Sequence, residues 1–193
     1  MVPESFHDFF LGATTVAGAL IGLLFVAISV TPAAVTDKAE HIEQRIHAAA
    51  AMSAFLNSML LSLLTLIPDI QLRPGVLALS AVGIGAAVAL IAVVVLEAVA
   101  PSSRGVLSVR RRARAVSWLV VLTAAYICQL VSGLQLTAHQ PDPAQMSNQA
   151  VVIVALFAIG VSHAWQMVGA RRPKVTALLR SAGAEQPSST SDD

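Results

Sequence analysis

Apolar residues in this 193-residue chain gather in five long blocks, running approximately 9–30, 48–67, 76–99, 116–137 and 150–168. Each approaches the roughly 20 residues that a helix needs to cross a hydrocarbon core about 30 Å thick. None shows the strict apolar and polar alternation of a barrel strand, and lipid leaves backbone groups no partners except inside a helix or a closed barrel. The pattern predicts an all-α, polytopic membrane helix bundle with five transmembrane helices. Pro32, Pro68, Pro74, Pro101, Pro141 and Pro143 fall between blocks, where a missing N–H does no harm. Asp37 followed by Glu40 reads as a capping box, so the second helix is expected to start near Lys38 and to run several turns before its apolar part. Residues 1–175 form the bundle in this reading. Residues 176–193 lack apolar periodicity, end in small polar and acidic residues, and read as a disordered cytoplasmic tail.

Composition sharpens the picture. Hydrophobic residues make up 56% of the chain and charged ones only 12%, against about a quarter charged in a soluble domain. With a mean hydropathy of +0.75, too little polar surface remains to cover a water-soluble core. A single cysteine, Cys128, excludes an internal disulfide framework. The net charge of +1 conceals a segregation of sign. Five spans put eleven of the twelve basic residues on one side, leaving only Arg73 on the other. The positive-inside rule then sets the N-terminus outside and the C-terminus in the cytoplasm. The leader carries Glu4 and Asp8 and no Lys or Arg, which fits a translocated tail better than a cleaved signal peptide. Abundant alanine and a preference for Arg over Lys point to a bacterial, GC-rich coding source and hence to the inner (plasma) membrane.

Small residues form stripes. In the first span Thr15, Gly18, Gly22 and Ser29 share a helical face, with Gly18 and Gly22 making a GxxxG. The second span has Ala51, Ala54, Ser58, Ser62 and Thr65, and the third is dense in small residues from Ser80 through Gly83, Gly85, Ala86 and Ala87 to Ala89. Such faces allow close helix approach in lipid. They serve either an oligomer interface or packing within the chain. The opening FHDFFLGATTVAGALIGLLFVAISV resembles the first span of a group of small, uncharacterised bacterial multi-pass membrane proteins, with an aromatic pair, Gly/Ala-rich residues and a G-L-L-F-V-A-x-S run. The match covers about an eighth of the chain, and the rest agrees in span layout. Some of that group are labelled modulators of a membrane-anchored protease. The resemblance therefore implies a regulatory role and carries over no catalytic residue.

Polar side chains at bilayer depth are candidate sites by default. Asn57 and Tyr126 fall near the middle of their spans, Gln129 about a turn farther outward, His163 about 5 Å inward of the midplane with Gln166 one turn deeper, and Glu97 near the inner end of span three. Cys128, Ser132, Gln135 and His139 share one face of span four. One expectation is a proton or ion path in which His163 exchanges a proton, Glu97 is the inner acceptor, and Asn57, Tyr126 and Gln129 carry the middle. Interhelical hydrogen bonding is the plainer account. Trp118 and Trp165 read as interfacial anchors. Arg104, Arg110, Arg111, Arg112 and Arg114 lie beside the inner leaflet, where they attract anionic lipid. They either make that contact or only fix topology. Glu40, Glu43 and His47 share a face, but interleaved charges make a solvated helix the better reading than a metal site. There is no HExxH, nucleophile elbow or Walker loop, so no enzyme is expected, and neither a cofactor nor nucleic-acid binding is implied. The expected function is that of a non-enzymatic interaction, scaffold or regulatory protein, self-associated or part of a larger membrane complex; the alternative is a small channel or transporter.

Overall fold

The computed structural model of the protein describes residues 4–30, 38–68, 70–99, 109–136 and 142–169. Five helices follow one another: α1 Glu4–Ser29, α2 Lys38–Leu66, α3 Leu72–Val99, α4 Val109–Gln135 and α5 Pro143–Gly169. All five contain a stretch long and apolar enough to span a membrane. Every one begins ahead of its apolar block. α2 starts at Lys38, as the sequence predicts, although the Asp37 cap lies outside the described residues. At 29 residues α2 is about 44 Å long, longer than the hydrocarbon core is thick.

α4 and α5 each start seven residues ahead of their apolar blocks, at Val109 and Pro143. The carbonyl oxygen of Asp142 accepts from the N–H groups of Gln145 (2.9 Å) and Met146 (3.1 Å), and Pro143 occupies the first helical position, where its fixed φ suits the helix. Pro143 and Pro74 thus lie inside first turns rather than between elements. The longer span places His163 about 12 Å along α5 from the span centre instead of about 5 Å. The tail assigned to 176–193 lies outside the described residues.

Consecutive helices run antiparallel. Phe10, Leu61, Leu72, Val76, Leu136, Met146 and Ile153 pack together at one end, bringing the starts of α1, α3 and α5 to the ends of α2 and α4. Leu24, Ala51, Phe55 and Met167 close the other end, where Arg45 and Arg114 are exposed, and which we term the basic end. α2 touches all four other helices, whereas α3 and α5 do not pack on each other among the described residues. Half of the α2 span is buried, against 17–33% for the other four, so α2 is the axial helix.

Many large apolar side chains point outward, with Leu23 65%, Phe25 57%, Val82 71% and Val151 64% exposed, while Ala, Ser, Gln and His share the interior with Leu, Phe and Tyr126. In water such a surface drives aggregation. In lipid it is simply the solvated face, and the helices associate through small-residue packing and hydrogen bonds. Two glycines permit close approach of an aromatic ring. A Cβ at Gly83 would sit 2.6 Å from a ring carbon of Tyr126, and one at Gly160 would sit 2.5 Å from a ring carbon of Phe55.

Candidate functional site

Polar side chains follow α2 along the bundle interior in tiers. At the basic end His47 of α2 and His163 of α5 are both buried, at 3% and 0% exposure. Their Nδ1 atoms are 2.9 Å apart and their ring centroids 5.2 Å apart. A contact between two Nδ1 atoms requires one ring to donate an N–H and the other to accept with its lone pair, so the two rings hold complementary tautomers. Nε2 of His163 finds no protein partner. The Trp118 ring meets the His163 ring edge-on at 6.0 Å. One turn nearer the basic end, Gln44 is buried with its Nε2 unpartnered.

An apolar layer follows. Ala50, Leu119, Leu122 and Leu156 are fully buried in one cluster. They separate the histidines from the next polar pair, Ser53 and Tyr126, whose hydroxyls lie 2.7 Å apart. The gap from His47 to Ser53 is about 9 Å along α2.

The third tier lies toward the opposite end. Asn57 Nδ2 donates to the Leu79 carbonyl at 3.1 Å, which leaves Asn57 Oδ1 without a partner. Gly83 against Tyr126 and Val76 against Gly133 set the antiparallel register of α3 on α4. Three residues on from the first pair, that register brings Ser80 level with Gln129. Gln149 precedes His163 on α5 by the same fourteen residues that separate His47 from Leu61, so it comes level with Leu61 and Ser62. Gln129 and Gln149 are 0% and 1% exposed, and neither amide has a protein partner. Ser62 Oγ is unpartnered as well. A buried polar group left unpaired costs about 1–3 kcal/mol, and the rest of such a helix bundle has no reason to accumulate them. Buried atoms of this kind mark places where water or another polar species belongs.

The interior therefore holds Asn57, Tyr126, Gln129 and His163 of the residues singled out in the sequence. Gln166 is half-buried in the crevice between α4 and α5. Glu97 is half-buried at the basic end of α3, a helix that does not pack on α5, so it does not meet His163; His47 does. Cys128 and Gln135 are exposed and Ser132 half-buried, which turns that face of α4 largely away from the interior, and His139 lies outside the described residues. Arg114 is exposed; Arg104 and the side chains of Arg110, Arg111 and Arg112 fall outside the described set. His47 turns to His163 rather than to Glu43, and among the described residues no group of three or more His, Cys, Asp or Glu is placed to hold a metal ion. Trp165 is 72% exposed.

The small-residue stripes divide. Ala51, Ala54, Ser58, Ser62 and Thr65 of α2 are all buried. Thr15, Gly18, Gly22 and Ser29 all face away from the bundle. The hydroxyls of Thr15 and Ser29 turn back to carbonyls of their own helix, and a Cβ at Gly18 or Gly22 would meet nothing within 4 Å.

Comparisons with protein-family models, with curated proteins and with solved structures find no match for this chain.

Proposed function

We propose that this integral membrane protein handles protons within the bilayer, with the His47–His163 pair as the exchanging group. The observation that carries the reading is the Nδ1 to Nδ1 contact between two buried imidazoles at bilayer depth. The ring that donates through Nδ1 has a bare Nε2, which takes up a proton. Its Nδ1 proton then crosses to the Nδ1 of the second ring, which releases the proton on its own Nε2. One proton has moved from one side of the pair to the other, and the two rings have exchanged tautomers. The unpartnered Nε2 of His163 serves as one port. The polar groups around Asn57, Gln129 and Gln149 supply a hydratable route on the far side. The Ala50, Leu119, Leu122 and Leu156 layer closes the connection in this conformation, as dewetted constrictions do in channels.

The test is proton flux into vesicles reconstituted with the protein and loaded with a pH-sensitive dye. Flux above that of empty vesicles is expected, falling to background in His163→Ala and in His47→Ala. Background flux in the unmodified protein ends this reading.

A second reading, that of an interaction or regulatory protein, is favoured by the outward Thr15, Gly18, Gly22 and Ser29 face, since none of these residues is needed to pack the bundle. It predicts that Gly18→Leu combined with Gly22→Leu abolishes association with another membrane helix, measured by chemical crosslinking in native membranes, while unfolding in detergent shifts by less than about 0.5 kcal/mol. Unchanged crosslinking would remove the support that this face gives. On either reading the positive-inside rule orients the basic end toward the cytoplasm.

A further inference from the structure

Two grooves open on the outer surface of the bundle at its basic end, and they share two side chains. The larger, about 480 Å³, runs along α4 and α5 and is lined by Arg114, Trp118, Val161, Ser162, Trp165 and Gln166. The smaller, about 220 Å³, lies between α1 and α5 against apolar residues that include Leu20, Leu23 and Ala27. Trp165 and Val161 line both. Trp165 thus stands as a ridge between a groove with polar groups at its mouth and a groove without them.

Polarity changes with depth. Arg114 lies one residue inside the start of its span, and Gln166 one residue inside the end of its own. Both therefore sit at the edge of the hydrocarbon region. Val161, Leu20 and Leu23 lie deeper. A cation and an amide at the boundary with apolar walls running inward match the shape and polarity of a phospholipid. Among the described residues no carboxylate lines either groove, and Arg110, Arg111 and Arg112 precede Arg114 in the sequence of the same helix, so the charge near the mouth favours an anion. Basic pockets between spanning helices bind anionic headgroups in this way.

We propose that the double groove holds one anionic phospholipid, its phosphate facing Arg114 and Gln166 and its acyl chains lying on either side of Trp165. Lipid binding here calls for no proton movement, although Trp118 both lines the larger groove and meets the His163 ring. The two tryptophans provide the readout. The protein is reconstituted in phosphatidylcholine vesicles containing, at equal mole fraction, either brominated phosphatidylglycerol or brominated phosphatidylcholine, and quenching of tryptophan fluorescence is followed.

The anionic quencher is expected to associate about fivefold more strongly than the neutral one, which is what one cation near the headgroup plane provides. Trp118→Phe, leaving Trp165 as reporter, retains that preference. Arg114→Lys retains most of it, Arg114→Gln brings it close to unity, and Arg73→Gln at the opposite end leaves it unchanged. Excess soluble glycerol phosphate does not relieve the quenching. Equal quenching by the two lipids in the unmodified protein overturns the proposal, as does a preference that survives Arg114→Gln. Relief by glycerol phosphate overturns it too, because the groove is then a site for a free anion.

Discussion

Gly83→Ala is expected to destabilise the bundle by about 1–3 kcal/mol, a large fraction of the stability of a domain this size. The added Cβ would lie 2.6, 2.7 and 2.9 Å from three carbons of the Tyr126 ring. That ring is fully buried, and its hydroxyl is tied to Ser53 at 2.7 Å. It has no free end to swing aside, unlike the Leu64 side chain beside Gly75. The strain therefore falls on the packing of α3 against α4 or on the Ser53 hydrogen bond. SDS-driven unfolding followed by circular dichroism measures the loss. In a double-mutant cycle Tyr126→Ala should remove most of the penalty, because the methyl group then enters the space the ring has left. A penalty that is the same with or without the ring would place the strain elsewhere. Gly18→Ala, with open space around its Cβ, serves as the comparison and should cost nothing, stabilising by up to about 1 kcal/mol.

The second large effect has the opposite sign. Gln129→Met with Gln149→Met should stabilise the protein by about 1–3 kcal/mol while reducing proton flux to background. Methionine keeps the length and volume of glutamine and removes the two amides, neither of which has a protein partner. The gain is visible in SDS because separated helices in a wet micelle solvate the amide, whereas in pure lipid both states leave it dry and the difference shrinks. A stabilised protein that still conducts would detach these glutamines from any proton route. A destabilised one would show that the amides bind something in the folded state.

The five helices were legible in the long apolar blocks, and the axial start at Lys38 in the Asp37 and Glu40 pattern. The start of α5 was not. Gln145, Ser147, Asn148 and Gln149 depress the local hydropathy, so an apolar block begins only after a helix already fixed by Asp142 and Pro143. That boundary cost the site one member, since Gln149 sits a single residue before position 150. His47, one residue before position 48, was legible only as part of a charged face with Glu40 and Glu43 that reads as solvated, whereas it is buried. A signal was present: the stripe Ala51, Ala54, Ser58, Ser62, Thr65 extends backward at helical spacing through His47 to Gln44, and all seven residues are buried. What no stripe reveals is its direction. The small-residue faces of α1 and α2 look alike in sequence, yet one packs inside the bundle and the other meets the bilayer.

The contact between His47 and His163 spans 116 residues of chain. At ribosomal rates of about 5–20 residues per second, roughly 6–23 seconds separate the synthesis of the two. During that interval the His47 imidazole has no mate, whereas the Ser58 and Thr65 hydroxyls are already satisfied by carbonyls of their own helix. A nascent chain arrested before α5 would expose this unmatched imidazole to the surrounding lipid, giving quality-control proteolysis a clear mark of an unfinished product.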